Sequence, residues 1–153
     1  MLFRSRAEVL KALGRLDEAL KEYEQAAVEF PHNAVARCGR AEVLKALGRL
    51  DEALKEYEHA AVEFPQDVVA RNGRAEVLKA LGRLDEALFA YESVIRQFSH
   101  DHASRNGRAS VLIMLERYNE ALKFLPTQPP RTLDDWIALH RSEERRVGKE
   151  CRL

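Results

Sequence analysis

The sequence has little of several features that would point to a specific class of protein. Its 153 residues include two cysteines, Cys38 and Cys151, whose spacing matches no metal-binding motif or disulfide framework. No apolar run approaches the roughly 18 residues that a transmembrane helix needs, and the short, charged start is unlike a signal peptide. The 25 basic and 25 acidic residues balance, so we expect neither nucleic acid nor an anionic membrane as the main partner. Together these absences favour a cytoplasmic protein.

What the sequence does have is a repeat. A block of fifteen residues occurs three times without a change, at Arg6–Leu20, Arg40–Leu54 and Arg74–Leu88. A fourth, altered copy follows at Arg108–Leu122, so the period is 34 residues. A fixed period of this length is typical of an array in which one supersecondary unit stacks on copies of itself.

The first part of a repeat predicts a helix that is apolar around most of its circumference. In the second copy this helix covers residues 35–47, and Cys38, Glu42 and Lys45 fall on the narrow arc that remains. Gly48 is predicted to end the helix in the left-handed conformation of a C-cap. A helix of this kind must be covered by more than one neighbour, as it is inside a stack.

The second part of a repeat predicts an amphipathic helix. Asp51 is its predicted N-cap, and Pro65 is the residue that stops it. Tyr57 and Phe64 are expected to fill the space between one hairpin and the next, while small residues such as Ala53 let the backbones approach closely. Because the turn between the two helices is short, one repeat is predicted to be an antiparallel helical hairpin.

These residues resemble the tetratricopeptide repeat, a 34-residue helix–turn–helix unit with alanine, a following aromatic residue and a closing proline in its second half. The chain shows this pattern as Ala19, Tyr23 and Pro31, as Ala53, Tyr57 and Pro65, and as Ala87 and Tyr91 with Ser99 in place of proline. The family's first-half pattern, W-x2-L-G-x2-Y, is poorly kept. The resemblance covers residues 1–140 and implies an all-α fold, a right-handed superhelical solenoid of antiparallel helix–turn–helix repeats.

The predicted organisation is four repeats, a partial fifth repeat and a tail. The ranges are 1–33, 34–67, 68–101, 102–131 for an irregular repeat shortened by Pro126, 132–140 for the start of a truncated repeat that carries Trp136, and 141–153 for the tail. The tail has no helical period and is interpreted as a non-native or disordered ending. We expect the chain to be a fragment of a longer array, since no polar capping repeat opens it.

No group of residues predicts catalysis. His100 and His102 could ligate a metal, but no third ligand is evident, and an exposed polar turn explains them better. Cys38 could act as a nucleophile only beside a base, and Asn72 and Asn106 replace it in the next two repeats, which favours a variable surface position. We therefore expect no enzyme activity, no cofactor and no metal site.

Arginines recur at two positions of the repeat. The first position holds Arg6, Arg40, Arg74 and Arg108, and the second holds Arg37, Arg71 and Arg105. Two interpretations are open. The arginines could form a ladder that binds acidic or phosphorylated peptides, or each could pair with a glutamate of an adjacent helix.

The family resemblance implies that the first helix of each repeat lines a concave groove where partner peptides dock. The residues placed there are Arg4, Glu8, Lys11, Cys38, Glu42, Lys45, Asn72, Glu76, Lys79, Asn106, Ser110, Ile113 and Met114. The Glu/Lys pairs three residues apart could equally serve helix stability. The lysine and asparagine clamp of family members that bind chaperone tails is not recognisable.

The predicted function is a non-catalytic scaffold that binds a protein or peptide in this groove. One alternative is a purely structural segment of a larger protein that could self-associate through its uncapped ends. The other is an array appended to a separate catalytic domain.

Overall fold

The computed structural model describes residues 2–124, with the side chains of residues 6–123. All regular elements of this part of the chain are α-helices. They are α1 (Leu2–Ala12), α2 (Leu16–Glu29), α3 (Ala34–Ala46), α4 (Leu50–Glu63), α5 (Val68–Ala80), α6 (Leu84–Gln97), α7 (His102–Met114) and α8 (Tyr118–Phe124). The predictions for the loop after Pro126, the partial repeat around Trp136 and the tail lie outside the described residues.

The helices form hairpins with short connections. Residues 47–49 alone join α3 to α4, and the two helices pack on each other along their length. The pairs α1 with α2 and α5 with α6 are built in the same way. We call the odd-numbered helices the A helices and the even-numbered helices the B helices.

The A helices form the continuous side of the stack. α1 contacts α3, α3 contacts α5 and α5 contacts α7, and α2, α4 and α6 each also contact the A helix that follows. Within residues 2–124, no Cα atom of α4 lies within 8 Å of a Cα atom of α2 or α6. The A helices therefore make a closed wall, while successive B helices stand apart with clefts between them. The predicted helical-repeat solenoid is confirmed.

A tyrosine on each of the first three B helices packs against a glycine of the next A helix. Tyr57 is 3% exposed, and a Cβ atom at Gly73 would lie 2.2 Å from its Cε1. The predicted place of Tyr57 between two hairpins is confirmed, whereas Phe64 is only partly buried. The other two junctions between repeats have the same contact, Tyr23 with Gly39 and Tyr91 with Gly107.

The turn inside each hairpin has the predicted glycine conformation. Gly48 has a φ of 76°, and the Arg49 N–H donates to the Leu44 carbonyl over 2.9 Å, which is a Schellman C-cap. In the altered fourth repeat Glu116 takes this place with a φ of 58°, which is uncommon for a residue with a side chain.

The prediction that Asp51 caps α4 is wrong. The cap position is Arg49, which makes no side-chain cap hydrogen bond, and Asp51 lies in the first turn of the helix. The Arg49 guanidinium instead binds Glu52, with Nε to Oε1 at 2.7 Å and Nη2 to Oε2 at 2.6 Å. Side-chain caps are found at the A helices, where Asn33, Asp67 and Asp101 accept hydrogen bonds from the first turn.

Candidate binding groove

The wall of A helices carries a groove of about 540 Å³, which we call the A groove. This volume lies within the range of about 300–1,000 Å³ that is common for ligand sites. Its floor includes Tyr23, Tyr57 and the glycines on which they pack, and small apolar residues such as Val35 and Val69 complete the lining. Six of the residues predicted for the concave face line it together: Glu8, Cys38, Glu42, Lys45, Asn72 and Glu76.

The other predicted residues do not line this cavity. Lys11 lies beside it and pairs with Glu42. The side chain of Arg4, on α1, lies outside the described residues. Lys79, Asn106, Ser110, Ile113 and Met114 lie on α5 and α7 outside the lining, with Ile113 and Met114 about half exposed.

Lysine and glutamate side chains form a ladder along the A helices. Lys11 Nζ lies 2.9 Å from Glu8 on its own helix and 3.0 Å from Glu42 on the next. Lys45 Nζ lies 3.0 Å from Glu76, again on the next A helix. The pairs therefore join repeats more than they support single helices. The hydrogen bonds from Lys11 to its two glutamates outweigh the opposing effect of burial and raise the pKa of this lysine.

The predicted surface position of Cys38 is wrong. Its side chain is 7% exposed at the floor of the A groove, because neighbouring A helices cover the arc that a single-helix projection leaves open. Burial, and to a lesser degree the carboxylates of Asp67 and Glu42, raise the pKa of the Cys38 thiol to about 12. A thiol with this pKa stays protonated near neutral pH, which makes it a poor nucleophile.

We expect Cys38 to resist alkylation in the folded protein. A raised pKa lowers the thiolate fraction at pH 8, so in a Cys151→Ser background iodoacetamide should react at least about tenfold more slowly without urea than in denaturing urea. Mass spectrometry of timed samples measures both rates. Equal rates with and without urea would contradict this expectation, since they would show that the thiol is accessible and has an ordinary pKa in the folded protein.

A polar network joins α5 to α7 at one end of the A groove. Asn72 Nδ2 donates to Asp101 Oδ2 over 2.8 Å, and the Ser104 hydroxyl lies 2.9 Å from Asn72 Oδ1 and also hydrogen-bonds Asp101. Ser104 is fully buried. Burial opposes ionisation of Asp101, but the hydrogen bonds from Ser104 and Asn72 outweigh it and lower the pKa of this carboxyl group. The side chain of Asn72 therefore helps to fix the junction between the third and fourth repeats.

The lining of the A groove is acidic. Five carboxylates line it against one lysine, Lys45, and they are Glu8, Glu42, Asp67, Glu76 and Asp101. Sequence reasoning missed the two aspartates, although their place just before an A helix is the signal of an N-cap. The overall charge balance of the sequence gives no hint of this local surplus.

The arginines of the first repeated position pair with glutamates, as one of the two interpretations predicted, and of the second position only Arg37 does so among the described residues. Arg40 Nη1 lies 2.7 Å from Glu56 and its Nη2 lies 3.6 Å from Glu24, both on B helices. Arg37 Nε lies 3.0 Å from Glu63. The remaining members of the first arginine position make the same kind of pair, Arg6 with Glu22, Arg74 with Glu58 and Arg108 with Glu92.

In residues 2–124 no group of three or more His, Cys, Asp and Glu side chains is placed to hold a metal ion. None of the helices in this range is both long and apolar enough to cross a membrane.

Regularly stacked hairpins with a groove along one wall of helices define the class of helical-repeat solenoid proteins. Within this class, models of the tetratricopeptide repeat match residues 10–77 and 72–125. The chain belongs to the tetratricopeptide repeat family. No curated protein sequence matches it.

Several solved structures have the same fold. The first TPR of Spaghetti (RPAP3), solved with the HSP90 peptide SRMEEVD, is 22% identical with a TM-score of 0.68, over 75% of this chain and 91% of that one. The Sgt2 TPR domain from Aspergillus fumigatus is 22% identical with a TM-score of 0.69, over 85% and 84%. A tetratricopeptide repeat protein from Parabacteroides merdae is 24% identical with a TM-score of 0.71, over 80% and 48%.

Proposed function

We propose that this protein is a non-catalytic scaffold that binds a basic segment of a partner protein in the A groove. The acidic lining carries the proposal. Five carboxylates surround the apolar floor residues, and Lys11 and Lys45 balance two of them, so three negative charges remain for lysine or arginine side chains of the segment. The apolar floor offers contact area to the aliphatic parts of the same side chains. The family supports the scaffold role, and a cytoplasmic location stays a prediction.

The segment that we propose for the A groove is opposite in charge to the peptides in two of the structures that the chain resembles. The peptides in those structures are the acidic SRMEEVD, with the first TPR of Spaghetti, and SGPTIEEVD, with the second TPR domain of human RPAP3. An acidic segment in the A groove would face like charges at every repeat, which is unfavourable. We therefore expect the A groove to bind basic segments and to reject acidic ones.

A selection from a phage-displayed random dodecapeptide library tests this proposal. We expect peptides rich in lysine and arginine, whose affinity is then measured by fluorescence anisotropy. Replacing Glu42 and Glu76 together with glutamine should weaken their binding about tenfold, because charge-assisted hydrogen bonds are lost. The affinity should also fall as salt is added.

The matched control removes the same number of charges elsewhere. Glu18 and Glu86 pair with Arg15 and Arg83 in exposed turns, so replacing both glutamates with glutamine should leave peptide binding unchanged. Enrichment of acidic peptides, or equal affinity for the two double variants, would contradict the proposal. A self-associating structural segment, the alternative, would instead enrich no peptide and show a mass that rises with concentration in sedimentation.

A further inference from the structure

A second cavity, of about 480 Å³, lies between the B helices α4 and α6, and we call it the B cleft. Its cationic residues are Arg71 and Arg74 of α5, and its apolar wall includes Val62 of α4 and Phe89 of α6. None of these residues lines the A groove. The B cleft is therefore a separate surface, with a lining of different charge.

Repeat 2 offers an internal comparison for Arg71, because its residues stand 34 positions earlier. There, Arg37 occupies the position of Arg71 and pairs with Glu63 at 3.0 Å. Gln97 stands at the position of Glu63 in repeat 3. Arg71 lies over the Phe98 ring, 5.9 Å from its centroid, and pairs with no carboxylate among residues 6–123. The Nε atoms of Arg37 and Arg71 are both buried without a hydrogen-bond acceptor in this range, so the two arginines differ in the nearby carboxylate that only Arg37 has.

The second arginine of the B cleft has lost an acidic partner in the same way. Arg40, its equivalent in repeat 2, pairs with Glu56 at 2.7 Å, and Ala90 stands at the position of Glu56 in repeat 3. Arg74 keeps Glu58, with Nε to Oε1 at 3.4 Å. Two guanidinium groups and one carboxylate line the B cleft, so one positive charge is left without a counter-charge.

The apolar wall of the B cleft also departs from repeat 2. Phe89 replaces Lys55 and is 66% exposed, and Val62 across the cleft is 83% exposed. Ser93 replaces His59, and together with Ala90 it provides shorter side chains at this place. The substitutions therefore remove charge from the wall, expose apolar surface and leave room beside two arginines.

We propose that the B cleft binds an acidic segment of a partner protein. One carboxylate of the segment lies between Arg71 and Arg74, and a neighbouring apolar side chain packs on Phe89 and Val62. A guanidinium binds a carboxylate with two parallel hydrogen bonds, and an arginine without an acidic partner supplies these donors. The single surplus positive charge matches a carboxylate monoanion. This proposal does not depend on the A groove, because it concerns another surface and a segment of opposite charge.

A control variant can be made by placing residues of repeat 2 at the equivalent positions of repeat 3, and we expect this variant to fold. Replacing Phe89 with lysine, Ala90 with glutamate and Ser93 with histidine places in repeat 3 the side chains that repeat 2 already accommodates. A random dodecapeptide library is selected on the full chain after depletion on this triple variant. We expect peptides that carry aspartate or glutamate within two residues of a large apolar side chain.

Affinities measured by fluorescence anisotropy complete the test. Arg71→Gln, and the change of the peptide's acid to its amide, should each weaken binding at least about tenfold. The A groove variant with glutamine at positions 42 and 76 should bind these peptides as the unchanged protein does. The proposal is overturned if depletion leaves no enriched peptide, if the enriched peptides lack an acid, or if Arg71→Gln binds them equally. If the replacements in the A groove weaken binding of these peptides, the peptides bind the A groove, and that result also overturns the proposal.

Discussion

We expect the replacement of Tyr57 with alanine to lower the free energy of unfolding by about 3 kcal/mol. The ring is 3% exposed and fills the junction between the second and third repeats, so its loss leaves a cavity that the helices cannot close without moving. In an array, each repeat is stabilised by its neighbours, so a weakened junction also makes the repeats before it and after it unfold less cooperatively. Urea denaturation followed by far-ultraviolet circular dichroism measures the change, including any broadening of the transition.

Tyr118 provides the control for the tyrosine truncation. It lies on α8 and is 56% exposed, so Tyr118→Ala should change the free energy of unfolding by less than about 0.5 kcal/mol. A Tyr57→Ala variant as stable as Tyr118→Ala would mean that the ring does not hold the junction together.

Replacing Gly73 with alanine should destabilise the protein although alanine is the better helix former. A Cβ atom there would lie 2.2 Å from Tyr57 Cε1, a separation at which the ring or the helix must shift. Overpacking of this kind costs about 1–3 kcal/mol, against a gain in helix propensity of about 1 kcal/mol. Because a separation of 2.2 Å is a severe overlap, we expect a cost in the upper part of this range and a net loss of about 1–2 kcal/mol in the same urea measurement.

The sign of the Gly73 effect should reverse when the ring is removed. In a Tyr57→Ala background nothing opposes the added methyl group, so Gly73→Ala should raise the free energy of unfolding by about 0.5–1 kcal/mol. The difference between the two backgrounds is the coupling energy of the contact. If Gly73→Ala destabilises both backgrounds alike, the tyrosine is not the cause.

The features that the sequence predicted well are those with a local signal. The glycine turn at Gly48 and the burial of Tyr57 follow from residues close together in the chain, and the 34-residue period follows from a direct comparison of the copies. Asp51 was misplaced by two positions, because α4 begins at Leu50 and an aspartate in the first turn of a helix is hard to distinguish from an N-cap in the sequence.

The features that the sequence did not predict arise between repeats. Cys38 was assigned to a polar arc, but neighbouring A helices cover that arc, which a projection of one helix cannot represent. The contact of Tyr57 with Gly73 was missed for the same reason, since a glycine inside a helix has no local turn to explain it. The acidic lining of the A groove and the unpaired charge of the B cleft also require knowledge of which repeats touch.

The lysine–glutamate ladder has a consequence for how the array can vary in length. Lys11 with Glu42 and Lys45 with Glu76 are the same pair, each 31 residues apart, so each bond joins one copy of the repeat to the next. The series ends at Lys79, because Ser110 stands where the next glutamate would be. The identical repeats are then equivalent. A further copy could be inserted between them, and it would form the same lysine–glutamate pair with each of its two neighbours. The B cleft breaks this equivalence, because the residues that distinguish it are absent from repeat 2. The B cleft therefore gives one position along the array a surface that the preceding repeat does not have.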